Sequence, residues 1–381
     1  MANSSNVLTE NTTVPLAKAF LKGVEASRVL INTVDTQLLS GAFTPSSGST
    51  ADFKRPHDYK SDRTSGGDIS STDRSDIISA KATGTVQDFF TVHMDWDIVD
   101  EALKLDGLDE LLMPAGERII TDLELDLGAY MYKNCNLSYG SPGTVVDAWS
   151  DVAGAGALMD SIGVPNQGER YYIMNPFTMT NLADATNGLA NGNGSMVDNA
   201  WQNAQITSKF GNMMTVTSNA LASFTSGTLS AGANRVGALS ATPNATYATH
   251  KNTMIQTLAV SGFGAGSDTI KAGEIIKITG RNRLSLSTRS TFLDAAAAEV
   301  LWTGVVTADV TLSGGAGNLL VAGPAINESN GQYNTVSSAI ASGDVITLIT
   351  AAASKVYQPN MFYHKQAFGL GTVKLPKLFA T

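Results

Sequence analysis

Cysteine is nearly missing from these 381 residues: Cys135 stands alone, so no disulfide can close within the chain and no thiolate cluster can hold a metal. Long apolar runs are missing too. No stretch approaches the roughly 18 apolar residues of a membrane-spanning helix. The N-terminus, MANSSNVLTENTT, has neither the basic nor the apolar part of a signal peptide. Histidine is scarce and scattered. His57, His93, His250 and His364 have no carboxylate or cysteine at metal-ligand spacing. There is no G-x-S-x-G elbow, and no histidine near Cys135 to activate it. Cys135 reads as a small buried apolar residue.

GFGAGS at 262–267 has the look of a phosphate-binding glycine loop, but KAGEIIKITG behind it is a strand pattern. A phosphate motif must open a helix whose N-terminus meets the anion, so GFGAGS reads as a hairpin turn. Asp122 and Asp126 share a helix face, for which a solvated surface is the ordinary reason. No residue is assigned a catalytic, cofactor-binding or metal-binding role.

Charge is thin. Only 15% of residues are charged and the net charge is −9, which leaves no cationic cluster of the kind that grips phosphates. A tight, sequence-specific DNA reader is excluded. Gly, Ala, Ser, Thr and Asn dominate instead, as in turn-rich β proteins, and the length allows two or three domains.

Against that background one long helical pattern stands out, from Pro114 to about Asn136. Ile120, Leu123, Leu127 and Tyr130 or Met131 recur at three- and four-residue steps, with Glu117, Asp122, Glu124 and Asp126 between them. Pro114 suits a first turn. A second amphipathic helix is expected over Val14–Val34, capped by Thr13, as an arm. Between Leu39 and Ser79 apolar density collapses into mixed charge, which cannot order itself. The flanks, ADFKRPHDY and IISAKATGTVQDFF, read as strands, so the segment is expected to be a hairpin reaching out of the subunit.

Beyond the long helix, 147–165 reads as a short helix stopped by Gly163 and Pro165. RYYIMNP is a buried strand, FTMTNLADATNG a helix, NGLANGNGS a loop and MMTVTSNAL a strand, which makes a mixed α/β layer. From about Thr225 to Thr350, MIQTLAVSGF, EIIKITG, VLWTGVVTADVTL, NLLVAGPAI and VITLIT alternate with Gly/Asn-rich turns, as in an antiparallel barrel or sandwich. NMFYHKQAFGLGTVKLPKLFAT is expected to return to the earlier layer, which makes the β region an insertion.

This order of pieces resembles the tailed-bacteriophage major capsid proteins of HK97-like fold, and among them the short-tailed-phage coat proteins with an inserted β-barrel. The matching residues are KRPHDY, DAWSDVAGAGALMDSIGVP leading into RYYIMNP, KFGNMMTVTSN, TLAVSGFGAGSDTIKAGEIIKITG and NMFYHKQAFGLGTVKLP. The resemblance implies an α+β capsid fold. Its parts would be an N-terminal arm (1–38), an extended loop (39–90) and a peripheral domain (91–139) with spine helix 114–136. An axial domain (140–222), an inserted β-barrel (223–350) and a return (351–381) would follow. Such proteins carry a further segment after the KLPKL region; here the chain stops at Thr381, so that segment is expected to be absent or cut short.

It also implies a non-enzymatic virion protein without cofactor. Copies would assemble as hexamers and pentamers in the host cytoplasm, with scaffolding and portal proteins, around loosely held double-stranded DNA, and without a membrane. Lys54, Arg55, Lys60 and Arg63 of the loop would meet Asp122, Glu124 or Asp126 on a neighbour's spine. A surface-layer or adhesin-type protein, a cellular nanocompartment shell and an enzyme with an unseen carboxylate site are the rival readings.

Overall fold

The computed structural model describes residues 22, 28–38, 50–70, 72, 74–86, 90–93, 108–166, 169–189, 200, 202–264, 266–329, 331–350 and 352–372. The architecture is α+β, with a closed barrel inserted into a mixed layer. A 3-10 turn, Ile31–Thr33, leads into β1 (Asp35–Leu38). The arm helix expected to reach Val34 therefore stops short. Arg28–Val34 is not α-helical, Val34 is extended, and all of 14–27 but residue 22 lies outside the described residues.

β2 (Thr50–Lys54) pairs antiparallel with β3 (Lys81–Thr85), from Thr50 opposite Thr85 to Lys54 opposite Lys81. The hairpin is shorter than the sequence suggested. KRPHDY leaves the ladder after Lys54, because Pro56 has no N–H to donate and biases Arg55 in front of it.

α1 (Leu108–Asn134) runs 27 residues, about 40 Å at 1.5 Å per residue. It starts six residues before Pro114, which is exposed inside the helix rather than in its first turn. Proline so near the N-terminal end forfeits one ladder bond, and LDELLM ahead of it favours helix strongly enough to continue. The face turned inward is Ile120, Glu124, Gly128 and Met131; Leu123 and Leu127 flank it, and Tyr130 points to solvent. Gly128 is required by close packing, since a Cβ there would stand 2.8 Å from the carbonyl oxygen of Ala220.

α2 (Trp149–Ile162) begins where Asp151 accepts the N–H groups of Asp147 and Ala148. It ends at Gly163, left-handed with φ 93°, whose N–H bonds to Asp160 while that of Val164 bonds to Met159. β4 (Arg170–Met174) is buried throughout. Asn175 then caps α3 (Pro176–Leu189) through the N–H of Thr178 at 2.7 Å. β5 (Lys209–Phe210) and β6 (Met213–Thr217) complete most of a four-stranded sheet. β4 and β6 run parallel, as a strand–helix–strand unit requires.

The chain leaves this layer through β7 (Phe224–Thr225) and closes a six-stranded barrel. Its strands are β8 (Val236–Leu239), β9 (Ile255–Ser261), β11 (Ile275–Asn282), β12 (Leu301–Val306), β14 (Gly317–Ala322) and β15 (Val345–Leu348). A side ladder pairs β10 (Thr269–Ile270) with β13 (Val310–Thr311). Trp302, Phe263, Leu258, Ile276, Leu319 and Ile346 fill the interior. GFGAGS is a turn with φ positive at Gly262 and Gly264, and no helix follows it.

β16 (Val356–Tyr357) pairs with β7, so the way out lies beside the way in. β17 (Met361–His364) joins the edge of the first sheet against β4, and β18 (Gly369–Thr372) pairs parallel with β1. One hydrophobic cluster, including Leu30, Val34, Met131, Ile173, Leu221 and Tyr363, therefore joins the arm root, the long helix and the sheet.

Candidate assembly surfaces

Glu124 does not stand on the solvent side of the long helix with Asp122 and Asp126. It is 3% exposed, and its Oε1 accepts the N–H of Val29 at 2.5 Å and of Ile31 at 3.3 Å. Residues 120, 124, 128 and 131 share one face at 100° per residue, so the inward stripe passes through the carboxylate. A chain turning beside a helix needs acceptors for its free amides, and Glu124 supplies one. It is withdrawn from the expected inter-subunit set. Asp122 pairs with Arg118 one turn away at 2.9 Å, and Asp126 is exposed.

The four loop cations divide. Lys54 and Arg63 are exposed. Lys60 is exposed as well and lies 3.3 Å from Asp62. Arg55 is half-buried and donates to the carbonyl oxygen of Asn252 at 3.2 Å, so it serves its own subunit and is also withdrawn. At the loop's base Lys81 reaches Asp52 at 2.7 Å. The hydrogen bonds of Lys81 and Thr83 hold the Asp52 carboxyl below the usual carboxylate range.

Several functional contacts left no local mark in the sequence. Arg289 pairs with Asp58, and Gln332 bonds to both limbs of the loop. These partners stand more than two hundred positions apart, and no periodicity joins them.

The neck of the barrel is fixed by a buried pair. Arg235 meets Glu274 at 3.1 Å, with 3% and 1% of the side chains exposed. Arg235 also donates to Thr350 and to the carbonyl oxygens of Leu229 and Ala352, while Glu274 accepts the amides of Gly227 and Lys271. Both crossings of the neck thereby share one polar knot. A buried pair needs this many partners to offset its lost hydration.

A cleft of about 570 Å³ opens between α2, the first sheet and the barrel neck. Cys135 lines it, and burial pushes its thiol up to about 12, so it is no nucleophile near neutrality. Among the described residues, no group of three or more His, Cys, Asp or Glu could hold a metal ion, and no helix is long and apolar enough to cross a membrane.

Comparison with known proteins places this architecture. A family model described as "P22 coat protein - gene protein 5" matches residues 2–380. The major capsid protein of Acyrthosiphon pisum secondary endosymbiont phage 1 is 38% identical over 379 residues, covering 98% of this chain and 87% of that protein. Two solved capsids are also similar. That of cyanophage P-SCSP1u is 16% identical over 86% of this chain and 88% of its own, with a TM-score of 0.38. The mature capsid of bacteriophage PhiM1 is 11% identical over 91% and 86%, with a TM-score of 0.36. A family match across nearly every residue, joined by a relative of this identity and coverage, means that the chain belongs to the P22 coat protein family.

Proposed function

We propose that this tailed-phage major capsid protein builds its icosahedral shell through the arm, the extended loop and the long helix, each meeting another copy. The observation that carries the reading is the family match across residues 2–380. A charged loop with no core of its own, rooted on a two-stranded ladder, supports the choice of surfaces. Lys54, Lys60 and Arg63 of one copy would meet Asp122 and Asp126 of the next. An exposed ion pair contributes only ~0–1 kcal/mol. A closed shell sums many such contacts, because a subunit held at one point meets the rest at high effective concentration.

The partition given by the resemblance remains our proposal: arm 1–38, loop 39–90, peripheral 91–139, axial 140–222, insertion 223–350 and return 351–381. Scaffolding and portal proteins belong to the same reading. So does double-stranded DNA held without sequence preference, since a net charge of −9 disfavours a tight grip on phosphate. Negative-stain images of the purified, concentrated protein test it. Closed shells of uniform diameter are expected; amorphous aggregate or persistent monomer at every concentration would overturn it.

A further inference from the structure

The limbs of the extended loop lie on the flank of their own chain's barrel domain, and the contact is built. Gln332 is 3% exposed. Its amide nitrogen donates to the carbonyl oxygens of Asp58 and Asp76, the latter at 2.8 Å, and its Oε1 accepts the N–H of Asp76 at 2.9 Å. Asp58 and Asp76 stand on opposite limbs. A glutamine amide has two N–H groups and one oxygen, and here all three are used, tying each limb to the other and both to the insertion.

Three further contacts surround that point. Arg289, at φ 55°, pairs with the Asp58 carboxylate. Ile78 and Ala80 pack beside Tyr247 and Tyr333, whose rings stack with centroids 3.7 Å apart. Asn252 accepts from Arg55 and, through its side chain, from the N–H of Lys81 at 3.2 Å. A segment this polar is ordered only where another surface supplies its partners, and this surface does so along both limbs. Beyond the clamp, Ile69 and Ile77 remain 76% and 78% exposed.

We infer that the inserted β domain carries a receptor for the extended loop of its own chain, centred on Gln332, and that this clamp sets the direction in which the loop tip is offered to the next copy. The second half rests on the loop's proposed role between subunits; the first half does not. The insertion thus governs an assembly contact without forming it. Gln332 is a positioning residue.

Hydrogen exchange on the unassembled full-length chain tests the clamp, with Gln332→Ala and the one-methylene-shorter Gln332→Asn. Exchange at the Asp76 amide is expected to rise roughly tenfold, the equivalent of one lost hydrogen bond, while amides of β9 and β14 keep their protection. Unchanged exchange at Asp76 in both variants would overturn the clamp, and so would barrel amides loosening with it. Protection that appears only on assembly would also overturn it, because the loop would then be seated by another copy.

Shell images test the second half. Asp58→Arg is expected to give shells of mixed size, and adding Arg289→Asp to restore uniform ones. Uniform shells from Asp58→Arg alone, or no rescue in the double variant, would refute the orienting role. Failure of the unaltered protein to form shells would instead refute the assembly reading above.

Discussion

The carboxylate of Glu124 accepts the backbone N–H groups of Val29 and Ile31, so an acidic residue of the long helix holds the root of the N-terminal arm. Glu124→Leu would leave both amides buried without a partner. Hydrogen bonds to a charged group contribute ~1.5–3 kcal/mol, and a loss of that order is expected in urea denaturation of the unassembled protein. Trypsin cleavage at Arg28 should rise as the root loosens. Glu124→Gln, which keeps an acceptor oxygen, should lose less, and equal losses in the two variants would argue for shape rather than hydrogen bonding.

Glu124 also shows where sequence reading stops. Helical periodicity found α1 and its approximate end, yet a carboxylate was assigned to solvent by residue type although its position lies on the inward face. Local signals sufficed wherever the partner was local. Gly163 ended α2, Asn175 and Pro176 opened α3, and alternation marked β9, β11, β12, β14 and β15. β8 went unread because it is four residues long, contains Gly237 and acquires strand form only between β9 and β15. The seat of the extended loop was illegible for a related reason: Asp58, Asn252, Arg289 and Gln332 are ordinary polar residues until the fold brings them together.

Arg235 and Glu274 make the neck sensitive to a single change. Removing one partner of a buried, hydrogen-bonded pair costs ~3–5 kcal/mol. Arg235→Ala is therefore expected to unfold the insertion at markedly lower urea. Replacing both residues by Met and Gln should cost less than the single change, because no charge is then left buried alone. A double variant no more stable than Arg235→Ala would count against the pair as the neck's fastener.

Gly163 joins two requirements at one position. Its φ of 93° suits glycine, and a Cβ there would stand 2.8 Å from Oγ of Ser287, in the excursion between β11 and β12. Leu286 in that excursion donates its N–H to the carbonyl oxygen of Ile162 at 2.7 Å. Gly163→Ala should cost about 2 kcal/mol through the left-handed backbone. Pairing it with Ser287→Gly should recover the part due to contact and leave the rest. Thermal denaturation of the two variants separates the contributions.

Acid should weaken the barrel domain. Hydrogen bonds from Arg281 at 2.6 and 2.8 Å hold the Asp344 carboxyl below its usual range, and the N–H of Ala272, then Lys271, do the same for Asp309. A carboxylate depressed in the folded state adds stability that is complete above its unfolded pKa of about 4 and is lost as pH falls through the folded value. Urea midpoints should be flat from about pH 7 to 5 and fall below about pH 4. Asp344→Asn should lower the plateau and flatten the fall, and an unchanged slope would remove this carboxyl from the acid response.

Charge between copies is the last expectation, and burial has already narrowed it. With Glu124 and Arg55 engaged inside the subunit, the exposed groups left are Lys54, Lys60 and Arg63 on the loop and Asp126 on the helix, with Asp122 shared with Arg118. Lys54→Glu with Arg63→Glu should slow shell formation followed by light scattering. Asp122→Lys with Asp126→Lys should restore it if these groups face one another. Added salt should slow the unaltered protein and narrow the gap between variants, since screening acts over about 10 Å at 0.1 M. Because each pair is weak, the effect should grow more than additively with the number of reversed charges. An unchanged yield of closed shells in the fourfold variant and in both twofold ones would mean that the loop reaches its neighbour through other residues, with the exposed Ile69 and Ile77 next to be changed.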